Sequence, residues 1–523
     1  MEKNLSAKLT RIPIVGFYIL ALLTTGTLLV IGVIGTRIYS GTRLVLFLTF
    51  TFIAAAAAFL CIRFKESLTD KKLLFIGILC FAALALLQVE SAFMLAQNPA
   101  WDMGGVYTSA LEWVTENKIV THMNYFDRFP NNAGLFVIEA VFFRLLNLFG
   151  AAPSLFLASL LNLLFTDLGI LFMVLFVRKC WGNSRALFYL FISMCFLPYI
   201  LYIPVIYTDT FSLPFVTLPL LLFAYSQKQD RKIFSTLMLI PISLILSFGA
   251  KVKGNVIILF IAFFVYMLCK YPLKQWLTAI LTFIVPFFLF SSLFDTAVLN
   301  DGIVTQYSDI YKYPASSWIY MGLKSPGGYN GEDSTYIHSF PNYQSKQDAA
   351  NYGIKQRLSE YGISGFAGHI FKKAKYTFGE GTYFAGVKLG KDPVNPDNGW
   401  YSHFSYDGTK NSLYYDFSNA MQAAVLLLLI AGLVMGLFKK SFDMSSLLYM
   451  AFFGLSIFLM IWETRSRYLI NFSPIMLALA DDSLFKLLNS CRYLFYSKNN
   501  AHEIQVNEFS QVQNSADSIN SNH

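Results

Sequence analysis

Charge is scarce in this sequence. Of its 523 residues only 14% are Asp, Glu, Lys or Arg, against 55% hydrophobic, and the mean hydropathy is +0.51. A chain of this composition cannot fold around one water-soluble core without leaving apolar surface exposed, which excludes an ordinary soluble domain and makes the bilayer its solvent. Cysteine is sparse as well. All six (Cys61, Cys80, Cys180, Cys195, Cys269 and Cys491) lie in or beside apolar runs with no CxxC pair. That excludes a disulfide framework and a cysteine metal site, and leaves them as small hydrophobes. The chain has neither a Walker sequence nor a GxGxxG loop, so nothing in it is built to cradle nucleotide phosphates. Internal repeats and halves of inverted hydropathy are also missing, which argues against the usual transporter architectures.

What the sequence does have is apolar runs. Runs of spanning length occupy 12–36, 44–62, 73–96, 154–177, 186–204, 211–226, 233–250, 254–269, 275–294, 419–438, 444–461 and 468–485. The first exceeds the apolar core of a signal peptide, about 7–15 residues, and reads as a retained helix. The net charge of +9 is spread over short connectors, among them Arg63, Lys65, Lys71 and Lys72, then Arg178, Lys179 and Arg185, then Lys228, Arg231 and Lys232. This is the positive-inside pattern rather than a nucleic-acid surface. The expected fold is an all-α polytopic membrane protein of about twelve transmembrane helices, with both termini in the cytoplasm. The shorter apolar stretch Ala133–Phe149, which carries Arg144, is read as a juxtamembrane helix on the outer surface. If it crossed instead, as part of a helical hairpin, every later connector would change sides.

The expected organisation is N-terminal transmembrane helices over 1–96, a first extracytoplasmic loop with the juxtamembrane helix over 97–153, and a transmembrane core over 154–294. A small extracytoplasmic domain over 295–418, C-terminal transmembrane helices over 419–490 and a disordered cytoplasmic tail over 491–523 complete it. In the 295–418 segment, the turn clusters Ser325-Pro326-Gly327-Gly328, Asp392-Pro393 and Asn395-Pro396 bracket a predicted helix from 346 to 375, so the segment reads as folded. It is dense in aromatics, which form a small core, anchor at the interface or stack on sugar rings.

Ionisable groups near hydrocarbon cost about 2.5–3.5 kcal/mol at mid-bilayer, so charges at the outer ends of spans are the functional candidates. Asp102, in Trp-Asp-Met-Gly-Gly, is flanked by apolar and glycine residues and is suited to act as a general base; its structural alternative is a helix N-cap. Tyr125, Asp127, Arg128 and Asn131 belong to Tyr-Phe-Asp-Arg-Phe-Pro-Asn-Asn, where Pro130 ends one segment and Asn131 or Asn132 can cap the next. Asp127 beside Arg128 reads as a solvated pair. Asp209, in Tyr-Thr-Asp-Thr, has no basic neighbour in sequence and either caps a helix or holds a hydroxyl or cation. Lys251, Lys253, Glu463, Arg465 and Arg467 run against the positive-inside bias. With Arg128 and Arg144, the basic members could form a phosphate clamp; an interfacial salt-bridge network with Glu463 and membrane lipid head groups is the alternative.

The order of these elements, ending in Glu-Thr-Arg-Ser-Arg-Tyr-Leu before the last span, resembles the GT-C superfamily of polyprenyl-phosphate-sugar-dependent glycosyltransferases over about 97–485. These are related to protein O-mannosyltransferases and lipid A aminoarabinose transferases, and the chain looks more like Gram-positive bacterial membrane proteins of that kind. The resemblance implies Asp102 as catalytic base and Arg465 and Arg467 as contacts to the lipid phosphate, with Lys253 and Lys251 assisting. Asp209, Arg128, Tyr125, Asn131 and Glu463 would position the acceptor. Several relatives show an Asp-Glu pair where this chain has Asp102-Met103. It also implies an inverting transfer at the extracytoplasmic face of the cell membrane, from a polyprenyl-phosphate sugar to a wall glycopolymer, glycolipid or protein. No cofactor or nucleic acid is implied; a divalent cation is not indicated. A flippase or a polymerase of polyprenol-linked glycans is the competing class. A flippase would need several charges deep in its helices, and Asp167 is the clearest of the few here.

Overall fold

The computed structural model describes residues 2–227, 232–305 and 307–491. The expected disordered tail and part of the Lys228–Lys232 connector lie outside the described residues. Within them the chain is all-helical, without a strand. Among the described residues nine helices are long and apolar enough to cross a membrane: Ile12–Thr36, Gly41–Arg63, Asp70–Met94, Leu155–Trp181, Thr208–Ser226, Ile233–Val252, Gln275–Asn300, Ser412–Gly436 and Met444–Ile461. Three further apolar runs form shorter or more polar helices at Asn183–Cys195, Gly254–Lys270 and 473–491. Ala133–Leu148 has 16 residues and extends about 24 Å.

The helices differ in how they use their apolar surface. Gly41–Arg63 has 11% of its most apolar window buried and Thr208–Ser226 has 78%, so the first lies at the periphery and the second at the centre. Close helix contacts fall at glycine, as expected where lipid supplies no hydrophobic drive between helices. A Cβ on Gly169 would come within 2.6 Å of Leu213, and one on Gly249 within 2.5 Å of Phe215, so both neighbours press on the central helix. Asn162 donates to the carbonyls of Tyr202, Ile203 and Val205 at 2.9, 3.0 and 3.2 Å and accepts from the Thr210 hydroxyl at 2.6 Å. These bonds satisfy the irregular backbone that leads into Tyr207–Asp209 and hold that turn in place.

The two polar segments are tied together. Asn98 N donates to Asp392 O at 2.8 Å and Val394 N to Ala96 O at 2.9 Å, around an antiparallel bridge between Gln97 and Pro393. The helix predicted within the 295–418 segment runs from Tyr343 to Phe378, with a kink at Gly362, and opens on an Asn342/Ser345 capping box. Its far end packs on the first span, where Gly32 and Gly35 face Phe378, Lys375 and Gly379.

Candidate functional site

Asp209 stands in the first turn of the central helix, and Tyr207 occupies the N-cap position without a side-chain cap bond. Asp209 is therefore not a cap. Fully buried, it accepts a hydrogen bond from Lys253 Nζ and another from Arg467 Nη1 at 3.2 Å. Lys253 is the extended residue after Ile233–Val252, and Arg467 lies in the 3-10 turn Ser466–Phe472 before the last helix. Both arms thus come from helix ends, where the backbone stops and a long side chain reaches sideways. Removing one partner of a buried ion pair costs about 3–5 kcal/mol, so this cluster is strongly specified.

Beside it lies a cation that the sequence reading missed. Lys388, only 6% exposed, places Nζ 3.1 Å from the centre of the Trp101 ring and forms no ion pair among the described residues. Burial, and then the nearby Arg467, hold its ammonium well below the usual lysine range, against the opposing pull of Asp209 and Asp102. An uncompensated buried cation on an aromatic face is a ready contact for an anion.

Asp102 joins the same locus from the other side. It sits in the first turn of Trp101–Glu116, whose N-cap is Ala100, so it is not a cap either. Its Oδ1 accepts from the Tyr125 hydroxyl at 3.3 Å, and Tyr125 in turn accepts from Asn132 Nδ2 at 2.6 Å. Tyr207 donates to Asn132 Oδ1 at 3.3 Å, while Asn131 donates to the same oxygen at 3.2 Å. This polar chain connects Asp102 to the turn that carries Asp209. Asn132 is at an N-cap position but makes no cap bond, because its amide is used here instead. Gly105 is required for the seat of Tyr125: a Cβ there would lie 2.7 Å from the phenol ring.

The remaining candidates divide. Glu463 is buried and accepts from the Tyr468 hydroxyl at 2.6 Å, and burial raises its carboxyl pKa. The Tyr468 ring stacks beside Arg467 and Lys253, with their charges 4.8 and 5.4 Å from its centre, so Glu463 supports the cluster through Tyr468. Arg465 is held elsewhere, between the rings of Tyr376 and Phe384. Lys251 pairs with Asp295 at 2.7 Å, and Arg128 Nη2 meets His338 at 2.8 Å. Those two, and the exposed Arg144, are not brought to the cluster. Asp127 does not pair with Arg128; buried, it accepts from the amide and hydroxyl of Thr305 at 2.6 and 2.8 Å.

Backbone strain marks the same place. Trp101, Tyr383 and Phe384 have φ of 46°, 54° and 67° without being glycine. Such residues cost about 1–3 kcal/mol each and collect at functional sites. Tyr383 and Phe384 lead directly into Ala385–Leu389, the short helix that carries Lys388. Glu380 braces this turn, accepting from Phe384 N at 3.1 Å and from the Thr382 hydroxyl, while its other oxygen accepts from Ser466 Oγ at 2.5 Å. Among the described residues no group of three or more His, Cys, Asp or Glu is placed to hold a metal ion. The site gathers three basic side chains, Lys253, Arg467 and Lys388, around one buried carboxylate, with a second, partly exposed carboxylate at Asp102.

No curated protein matches the chain. Residues 11–485, most of its length, match the family described as CHIM_prot, conserved hypothetical integral membrane protein, and the chain belongs to that family.

Proposed function

We propose that this protein is a membrane glycosyltransferase that moves a sugar from a polyprenyl-phosphate donor to an extracytoplasmic acceptor, a cell-envelope glycopolymer, glycolipid or protein, with inversion. In this reading the nine long helices and the three shorter ones make twelve spans with both termini in the cytoplasm. The outer ends of the spans and the 97–132 and 295–418 segments then form the active face.

The observation that carries the proposal is the excess of cations at Asp209, joined through Tyr125, Asn132 and Tyr207 to a carboxylate that forms no ion pair among the described residues. A glycosyl phosphate needs two things at one place. A base, Asp102, takes the proton of the acceptor hydroxyl as its oxygen bonds to the anomeric carbon. The bond from that carbon to the phosphate oxygen breaks, its electron pair stays on the lipid phosphate, and Arg467, Lys253 and Lys388 stabilise the charge. Asp209 holds two of these cations in position while leaving the cluster net positive. Asp167, whose Oδ1 accepts from Gln88 at 3.0 Å, is engaged in helix packing rather than left free for a translocation path.

The test is reconstitution of the purified protein with polyprenyl-phosphate sugars and envelope fractions as acceptors. Transfer of labelled sugar to a non-lipid or glycolipid product, lost in Arg467→Gln, is the expected result. Movement of the lipid-linked sugar across the bilayer without transfer would establish the flippase class instead.

A further inference from the structure

The Arg-Ser-Arg element points its two guanidinium groups into different surroundings. Arg467 joins Asp209 and Lys253, whereas Arg465 lies between two aromatic faces, 4.6 Å from the centre of Tyr376 and 4.4 Å from that of Phe384. Ser466, between them, is fastened to Glu380 at 2.5 Å, which keeps the two arms apart. Arg465 is half-buried and makes no side-chain hydrogen bond or ion pair among the described residues. The nearest acid by sequence, Glu463, is committed to the Tyr468 hydroxyl at 2.6 Å.

Two aromatic rings beside the guanidinium hold it without using its N–H donors. Gly328 approaches it: a Cβ there would lie 3.4 Å from Arg465 Nε and 3.0 Å from the Tyr376 hydroxyl. Among the described residues neither Nη of Arg465 donates a hydrogen bond, so its planar fork is unspent. A planar fork of this kind matches the oxygens of a phosphate. Phe384, beside Arg465, and Lys388, beside the Asp209 cluster, belong to one strained turn and short helix, which links the two places.

The geometry points to a second anion subsite at Arg465, which takes a phosphate group other than the one bound by Lys253, Arg467 and Lys388. It rests on the reading of that inner cluster as the lipid-phosphate site. The second phosphate belongs either to a donor linked through a diphosphate or to a phosphate-bearing acceptor; the two sources share their chemistry and separate in the test.

The test measures binding to the purified full-length protein in nanodiscs, using farnesyl monophosphate, farnesyl diphosphate and a glycerol-phosphate oligomer as probes. If the donor is the source, the parent protein binds the diphosphate about tenfold more tightly than the monophosphate, and Arg465→Gln removes that preference while leaving monophosphate affinity unchanged. If the acceptor is the source, the parent does not prefer the diphosphate, and Arg465→Gln weakens binding of the oligomer by a similar factor. Should the Gln variant not fold, Arg465→Lys keeps a charge between the rings but loses the fork, and most of the preference goes with it. No response of any probe to either Arg465 variant, with monophosphate binding weakened in Arg467→Gln, overturns the second subsite and leaves the proposed function standing. Unchanged monophosphate affinity in Arg467→Gln overturns the inner phosphate site and this inference with it.

Discussion

Arg467 and Asp209, 258 residues apart in sequence, meet at 3.2 Å in the interior, and Lys253 closes on the same carboxylate from a third helix end. The ion pair therefore joins the central helix to the segment before the last one. Asp209→Ala removes the carboxylate that both cations share. A stability loss of about 3–5 kcal/mol is expected, read as a clear fall in the thermal midpoint of the detergent-solubilised protein. A midpoint unchanged from the parent would mean that the cations relax into solvent.

Asp102 makes a different prediction, because its carboxylate accepts from Tyr125 and forms no ion pair among the described residues. Asp102→Asn keeps the size and the acceptor oxygen, so folding and donor binding should persist. Transfer should fall by about a hundredfold to ten-thousandfold, the usual range for loss of a general base. Turnover close to the parent's would move the base elsewhere, with Asp209 next to be examined.

Lys388 predicts a pH dependence. Its ammonium is held below the usual lysine range by burial, and a bound phosphate favours the charged form, so binding takes up a proton. Affinity for a polyprenyl phosphate should therefore decline as pH rises through the free-state pKa of Lys388. Above about pH 7 a phosphate monoester is already largely dianionic, so its own ionisation contributes little to the trend. Lys388→Arg stays protonated throughout and should flatten the profile. An arginine variant with the parent's slope would assign the proton to another group.

Glu380 is expected to act through position rather than contact. Glu380→Ala leaves Ser466 Oγ, Thr382 Oγ1 and Phe384 N without their acceptor, and releases a turn that holds two strained residues. Donor binding should weaken several-fold with the fold retained, and Glu380→Gln, which can still accept, should recover part of it. A role confined to stability would lower the thermal midpoint and leave donor affinity intact.

Sidedness is tested by single cysteines in a cysteine-free background. Labels at the exposed positions Ser359 and Asn395 should react with an impermeant maleimide in intact cells, and labels at Ser67 and Ser441 only after lysis. Reaction at both Ser67 and Ser441 from outside would mean that the chain is inserted the other way round, and the proposed active face would then be cytoplasmic.

The apolar runs were legible because bilayer thickness acts on each segment by itself: a stretch near Leu155–Trp181 is a helix of spanning length whatever it packs against. Asp102, Asp209 and Arg467 were legible for a related reason, since a charge beside hydrocarbon stands out in any alphabet of residues. The partners of those charges were not. Lys251 and Lys253 are two residues apart, yet one reaches Asp295 and the other Asp209, because the helix ends at Val252 and the chain turns extended between them. Arg465 and Arg467 diverge through a bond from Ser466 to Glu380 that no local pattern announces. Lys388 lies in Ala-Gly-Val-Lys-Leu-Gly, which carries no signal at all. Its place against Trp101 depends on the Gln97–Pro393 bridge and on the strained turn at Tyr383 and Phe384. Span length and charge are local quantities, so the sequence alone determined the helices and most of the charged candidates. Which charges share one desolvated space depends on contacts between distant segments, and only the tertiary structure decided it.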